Sequence, residues 1–374
     1  MLGKRILIPY FLAGSGHFAV AGAVQHYLNK KYPDLEVRLL EPAIEFKDEL
    51  LNNFFKEAWK HILRMKKSTS QFLFDIDKAI PSLAKFINNQ HLKLAILKGM
   101  GFLVGYQPDL ILSTHWGCAH LFNHARKELD TPIPLFNVFT ELAGGHKLTN
   151  CGADKYFAVS PQAIRDLTHY EIPEEDMLLI NFIVRPNLIK GVIKKEDARI
   201  SLGLPQDRFI TVFNVGGEGL GHVNDFISAF TRVFPEGMLI VLAGRNEELF
   251  KTVQSSFSGT NVVGYGFRED IDRFLASADL LAGKCGGSFS MEAVMMGKPF
   301  VITNVGAPSE RPNKDYILSK GYGWYTPKAE KFGRLLADLQ RDMSLFEKVR
   351  ENLASVPVIN GAEQIADTIH AMLS

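Results

Sequence analysis

Apolar residues in this chain gather in short runs, separated by stretches of helical period. RILIPYFL (5–12) stays apolar until the polar GSGH and predicts a strand buried on both faces. A helix is predicted over 17–31 and a strand at VRLLEPA (37–43). The stretch 45–106, rich in Phe, Leu, Ile and Lys, predicts several helices. Strands follow at PDLILSTH (108–115), IPLFNVFT (133–140) and DKYFAVS (154–160), then a helix near 161–170 and a strand at MLLINFIV (177–184). The polar, loop-rich segment 184–207 interrupts this pattern, which then restarts. RFITVFNVGG (208–217), MLIVLAG (238–244), NVVGYGF (261–267), DLLAGKCGG (279–287) and PFVITN (299–304) read as strands. Helices are predicted between them, over 221–233, 246–257, 269–277 and 288–297. Such alternation predicts an α/β protein built on open parallel sheets.

At 374 residues the chain exceeds one comfortable core. The pattern divides it into an N-terminal domain, 1–185, with a helical insert at about 45–106, and a C-terminal domain, 186–358. An amphipathic helix within 359–374 is expected to pack back across the domains. A net charge of +1 supplies no general attraction to nucleic acid, so no nucleic-acid partner is expected. Cys118, Cys151 and Cys285 lack metal or redox spacing and suggest a reducing compartment. The basic, apolar N-terminus is cut by GSGH and reads as a strand rather than a secretory signal. No apolar run approaches the roughly 18–20 residues that span a bilayer. A cytoplasmic protein with peripheral membrane contact is the expectation.

In each half a glycine turn follows the first strand and opens a helix: GSGH (14–17) and GGEGLG (216–221). Such turns present backbone N–H groups and the positive end of a helix dipole to phosphate. Ligands of open α/β sheets collect at the carboxyl ends of the strands. Tight strand-to-helix packing is the competing explanation for both turns, and neither is a GxGxxG or Walker loop. KCGGSFSMEAVMMGKPFVI (284–302) is more informative: a strand ends in Gly-Gly-Ser and a helix starts at once. Glu292 lies one turn into that helix, and Glu310 and Asn313 follow in APSERPNKDY (307–316). Either Glu292 takes a ribose diol while Glu310 and Asn313 take sugar hydroxyls, or Glu292 is a first-turn acid favoured by the dipole. Two Asp-x-Asp pairs, Asp75–Asp77 and Asp270–Asp272, do not predict a metal site. The first lies away from any glycine turn, and the second opens a helix, where aspartates are ordinary.

In order, GSGH, PDLILSTH, TEL (140–142), VRPN (184–187), GGEGLG, AGRNEEL (243–249), GF (266–267), the 278–302 block and the Asn313 segment resemble a known family. It is the group of inverting GT-B glycosyltransferases containing the monogalactosyldiacylglycerol synthases and processive diacylglycerol glucosyltransferases, related to MurG-type enzymes. The resemblance implies two Rossmann-like, doubly wound domains facing across a cleft, with a UDP-sugar held by the C-terminal domain and the acceptor by the N-terminal one. It implies that Phe267 contacts the base, Glu292 the ribose, and Gly286, Gly287 and Ser288 the phosphates. Gly217, Glu218 and Gly219 would line the cleft, Glu310 and Asn313 would face the donor sugar, and Arg245 belongs to the same donor set. No cofactor or metal is implied. Departures bear on the sugar's identity. Gly286-Gly287-Ser288-Phe289 stands for a Gly-Pro-Gly-Thr-like turn and Ser309 for a glutamine. Glu141 stands for an aspartate, and NFIVRPN for Gly-(Ile/Phe)-Pro-Val.

Within this resemblance His17 faces the acceptor. A neutral imidazole suits removal of the acceptor proton, and the helix N-terminus beneath it should keep it neutral. Donation to a phosphate or headgroup, or simple capping of the turn, are the other readings. Glu141 stands ready to assist or replace it, while His115 and His146 read as structural. Residues 54–98 hold nine Lys or Arg against three acids, interleaved with Phe54, Phe55, Trp59, Ile62, Leu63, Phe72, Leu73 and Phe74. Lys56, Lys60, Arg64 and Lys67 recur at helical spacing, the make-up of a helix lying on an anionic membrane. A packed subdomain with a solvated basic side is the alternative. The expected function is hexose transfer from a UDP-sugar to a lipid hydroxyl such as that of diacylglycerol. Transfer to another hydrophobic acceptor, noncatalytic nucleotide-sugar or lipid binding, and UDP-sugar epimerisation are the rivals.

Overall fold

A computed structural model describes residues 3–12, 16–49, 51, 90–215, 223–306 and 310–374. The chain divides into two compact units: residues 1–186 with 359–374, and residues 187–306 with 310–358.

The first unit holds a six-stranded parallel sheet in the order β2-β1-β3-β4-β5-β6. The strands are β1 (Arg5–Pro9), β2 (Glu36–Leu40), β3 (Leu110–Ser113), β4 (Leu135–Phe139), β5 (Lys155–Ala158) and β6 (Met177–Leu179). Ile6, Leu7 and Ile8 of β1 are fully buried, as expected of an interior parallel strand with helices on both faces. Edge strand β2, by contrast, is only partly buried, which matches its more polar EVRLL sequence. The last helix, Gly361–Leu373, belongs to this unit. It buries Ala362, Ile365, Ala366 and Ile369, and lies beside the helix Gly16–Lys31. Lys31 pairs with Glu363 and Asp367, and the Tyr32 ring stacks on His370 at 3.9 Å.

The second unit repeats the plan in the order β12-β11-β10-β7-β8-β9, again all parallel. Its strands are β7 (Ile210–Asn214), β8 (Met238–Gly244), β9 (Val262–Gly266), β10 (Leu280–Lys284), β11 (Phe300–Asn304) and β12 (Gly323–Tyr325). Phe213, Phe226, Phe230 and Phe332 anchor its core. Gly283 is a glycine by necessity: its φ is +152°, and a Cβ there would lie 2.3 Å from the Asn214 carbonyl oxygen.

Both units are doubly wound α/β sheets, as the alternation of apolar runs predicts, and the fold is GT-B, as the resemblance implies. Most strands are shorter than the apolar runs that announced them. In most cases the final residues of the run leave the sheet and form its carboxyl edge; the runs of β8 and β11 stay in the sheet to their last residue. The helices Trp116–Glu128 and Lys195–Ser201 had no predicted counterpart. KEDARIS is polar enough to read as loop, yet its Arg199 is 2% exposed and bonds Asp279. Of the predicted helical insert, only the helix Gln90–Tyr106 and the region up to residue 51 are described. Residues 52–89 lie outside the described part.

Candidate functional site

Both sheets reverse their direction of growth between two central strands, β1 and β3 in the first and β7 and β10 in the second. At such a switch point the loops leaving adjacent strands diverge and open a ligand crevice.

In the first unit the loops after β1 and β3 bring His17 against Thr114 and His115. His17 is the second residue of the helix Gly16–Lys31, and its Nδ1 lies 2.5 Å from the Thr114 backbone oxygen. A carbonyl only accepts, so the proton is on Nδ1 and Nε2 is the basic nitrogen. The Thr114 hydroxyl returns a bond of 3.1 Å to the His17 carbonyl. Burial lowers the His17 pKa below 6.5, partly opposed by the Thr114 bond. Loss of solvent thus favours the neutral ring.

His115 caps the helix Trp116–Glu128, its Nδ1 accepting from the Gly117 amide at 3.0 Å. That fixes the opposite tautomer. Its pKa lies well below 6.5, through burial first and then the neighbouring His17 and His146. The His17 and His115 rings meet edge-on at 4.6 Å. Trp116 stacks on His115 at 5.2 Å and meets His146 edge-on at 5.4 Å. Glu141 follows β4, the neighbour of β3, and is partly buried at the same carboxyl edge.

In the second unit the five segments that follow β7, β8, β9, β10 and β11 carry the predicted donor residues. The loop after β7, with Gly217, Glu218 and Gly219, lies outside the described residues. Arg245 follows β8 and Phe267 follows β9, and the guanidinium carbon sits 5.1 Å from the Phe267 ring centroid. Phe267 is 58% exposed, so this Arg–Phe pair presents an exposed planar surface.

After β10, Gly286 is the N-cap of the helix Gly287–Met295 and provides no side-chain cap. The first N–H groups of that helix, including those of Gly287 and Ser288, therefore lack a side-chain cap partner. Strand packing does not explain the two glycines. Gly286 has φ −62°. A Cβ on Gly286 would come no closer than 3.8 Å to a neighbour, and one on Gly287 no closer than 3.9 Å. The backbone at this turn is therefore open to close approach from outside.

Glu292 is 4% exposed and lies beyond the first turn of this helix, which removes the helix-dipole explanation for it. Asn313 is 1% exposed, and its amide donates to the Cys285 carbonyl at 3.1 Å, bracing the turn that leads to Gly286. The Glu310 carboxylate is also engaged: Oε1 pairs with Lys284 Nζ and Oε2 accepts from the Gly306 amide, both at 2.7 Å. Lys284 and Thr114 are the residues missing from the sequence-based set. Both stood at the ends of quoted strands, KCGG and STH, where a basic or hydroxyl side chain at the carboxyl edge is the signal.

No protein-family model matches the chain. It is 23% identical over 351 residues to a probable monogalactosyldiacylglycerol synthase 2, chloroplastic, of Oryza sativa subsp. indica, covering 89% of this chain and 73% of that protein. It is 22% identical over 365 residues to the processive diacylglycerol beta-glucosyltransferase of Staphylococcus carnosus (strain TM300), covering 95% and 89%. Among solved structures, Acinetobacter baumannii MurG matches with a TM-score of 0.61 at 15% identity, over 99% of this chain and 100% of that one. The S. aureus MnaA–UDP co-structure matches with a TM-score of 0.64 at 15% identity, over 99% and 97%.

The fold and the carboxyl-edge loops define a GT-B enzyme. Within that class the chain is similar to glycosyltransferases of the monogalactosyldiacylglycerol synthase and diacylglycerol glucosyltransferase type.

Proposed function

We propose that the protein transfers a hexose from a UDP-sugar to a lipid hydroxyl such as that of diacylglycerol, with inversion at the anomeric carbon. The observation that carries the donor half is the Gly286–Gly287 turn. Its glycines are required neither by backbone conformation nor by packing, and it opens a helix with no side-chain cap. The uracil rests on the Arg245–Phe267 pair, the ribose hydroxyls bond Glu292, and the diphosphate lies at the N-terminus of the helix Gly287–Met295. Gly217, Glu218 and Gly219 belong to the same donor site.

His17 Nε2 accepts the acceptor's hydroxyl proton as its oxygen attacks the anomeric carbon opposite the leaving diphosphate. Charge growing on the UDP oxygen is met by the helix N–H groups and the Lys284 ammonium, preorganised for that purpose. This division of labour calls for neither a cofactor nor a metal. Glu141 lies on the edge that carries His17 and assists in holding the acceptor. Glu310 holds Lys284 and Asn313 holds the Cys285–Gly286 turn, so both serve the donor from behind.

The lipid acceptor places the enzyme on the cytoplasmic face of an anionic membrane, held there by the basic segment 54–98. Among the described residues no helix is long and apolar enough to cross a membrane. On the helix Gln90–Tyr106, Leu94, Leu97 and Val104 are 48%, 60% and 60% exposed. These positions share one face by their spacing and support a lipid-contacting surface.

A donor-by-acceptor activity matrix with product mass spectrometry tests the proposal. A hexosyl lipid formed from a UDP-hexose supports it. Interconversion of UDP-sugars without acceptor, or UDP binding without transfer to any lipid, overturns it.

A further inference from the structure

We infer that Thr114 is a positioning residue for this reaction, gripping His17 from two sides so that Nε2 alone is presented as the base. The inference rests on the proposed role of His17 and adds to it the device that makes the role work.

Residues 17 and 114 are joined by two bonds running in opposite directions. His17 Nδ1 donates to the Thr114 carbonyl, and the Thr114 hydroxyl donates to the His17 carbonyl at 3.1 Å. A single bond at Nδ1 would leave the ring free to swing about that contact. The second bond ties the His17 backbone to the same residue and removes that freedom. The helix does not need it, since the carbonyl of residue 17 is the normal acceptor for the amide of residue 21. Thr114 thus fills that carbonyl's second lone pair. Its own side chain is fully buried, so water does not compete for the hydroxyl.

The segment around Thr114 is itself immobilised. The Ser113 hydroxyl donates to the His115 carbonyl at 2.7 Å, and His115 is pinned through Nδ1 to the Gly117 amide. The His115 ring then stands edge-on against His17 at 4.6 Å. The histidine's orienting partner is therefore a neutral backbone carbonyl inside a rigid strand end, not a carboxylate. Such a partner selects the tautomer without adding the negative charge that would raise the ring's basicity. Among the described residues His115 is the titratable ring that packs against His17, and burial holds its own pKa well below 6.5.

The test compares Thr114→Val, Thr114→Ser and His17→Ala on the full-length protein, with a UDP-hexose and a short-chain diacylglycerol. Thr114→Val should lower kcat by about 10- to 100-fold, the scale of a small misplacement of a catalytic group. KM and UDP affinity should stay within about twofold, because neither substrate touches Thr114. The acid limb of kcat/KM should also move up toward pH 6.5 as the loosened ring regains water, a change a merely structural lesion would not make. Thr114→Ser keeps the hydroxyl and should restore both quantities. A folded Thr114→Val enzyme with wild-type kcat and an unmoved acid limb overturns the inference, as does a Thr114→Ser enzyme that fails to rescue. Independently of any variant, nitrogen-15 NMR of the wild-type imidazole should show the Nδ1–H tautomer. The Nε2–H form would overturn the inference. If His17→Ala retains normal turnover, the base assignment falls first and Thr114's role falls with it.

Discussion

Lys284 and Glu310 form an ion pair of 2.7 Å at the turn that opens the helix Gly287–Met295, with side chains 28% and 12% exposed. Gly306 makes room for it, since a Cβ there would lie 2.7 Å from Lys284 Cδ and 3.0 Å from Glu310 Oε2. An ammonium carries three donors and this pair uses one, so Lys284 is held in place with capacity left for an anion.

From that arrangement, Lys284→Met should weaken UDP binding by about 1–2 kcal/mol, the scale of one hydrogen bond to a charged group. Uridine binding should be unchanged, because the nucleoside has no phosphate to contact. Titration calorimetry with both ligands decides the matter. Equal losses for UDP and uridine would make Lys284 a structural residue.

Gly287→Ala is predicted to fold with stability within about 1 kcal/mol of wild type, since alanine is the better helix former and the added methyl meets only Asn313 Nδ2, at 3.9 Å. Its affinity for UDP should nevertheless fall at least about tenfold if the phosphates approach the backbone there, a loss of about 1.4 kcal/mol. Glu292→Ala should cost about 1–3 kcal/mol of UDP affinity through lost charge-assisted bonds to the ribose. Unchanged UDP affinity in a folded Glu292→Ala protein would remove Glu292 from the donor site.

The two variants also mark how far the sequence could be read. The alternation of apolar runs announced both sheets, and the glycine turns fell at the carboxyl edges because strand ends and helix starts are encoded locally. What stayed hidden was the pairing of distant side chains. Nothing in KCGG says that Lys284 meets Glu310, and nothing in STH says that Thr114 meets His17. Those contacts depend on which strands are neighbours at each switch point, a property of topology rather than of any short window. Glu310 shows the same limit: it stands on the edge expected from the sequence, and nothing in APSERPNKDY says that its oxygens bond Lys284 and Gly306. The polar helix Lys195–Ser201 escaped because its buried face is made by Ala198 and Arg199 rather than by an apolar stripe.

His17→Ala should lower turnover by about 10²–10⁴-fold, the usual range for loss of a general base, with UDP affinity nearly intact. In the proposed role His17 acts in its neutral form, and burial holds its pKa below 6.5. Activity should therefore be flat in this ionisation at neutral pH and fall only on acidification below pH 6.5. Steady-state kinetics across pH 5–8 provide the check, and near-normal turnover of His17→Ala would shift the role toward Glu141.

The same burial makes a prediction about stability. His17, His115 and His120 all have folded pKa values below 6.5, each chiefly through burial. Below pH 6.5 the unfolded chain binds protons that the folded chain refuses, so stability is full above that value and is lost as pH falls through the folded values. His115→Asn keeps a good helix N-cap and removes the most depressed of the three. Chemical denaturation between pH 7 and 5 should show a shallower loss of stability for His115→Asn than for wild type. An unaltered slope would mean that His115 does not contribute to acid sensitivity.

The membrane surface supplies the last prediction. The helix Gln90–Tyr106 contains no acidic residue, and Leu94, Leu97 and Val104 stand exposed along it. Lys60 and Arg64 lie in the basic stretch just upstream, within residues 52–89 and thus outside the described part. Each cation near an anionic surface contributes about 1 kcal/mol, and this falls as salt rises. Reversing Lys60 and Arg64 to Glu should therefore sharply weaken binding to anionic vesicles at low salt and change binding to neutral ones little. Leu97→Asp should weaken both, because the insertion of apolar side chains does not depend on lipid charge. Neither change touches the residues assigned to donor or base, so transfer to a water-soluble short-chain acceptor should survive in both variants. Vesicle sedimentation paired with the two acceptor assays separates docking from chemistry. A charge-reversed variant that sediments like wild type at low salt would reduce the basic stretch to an ordinary solvated helix face, and the lipid acceptor would then have to be delivered by other means.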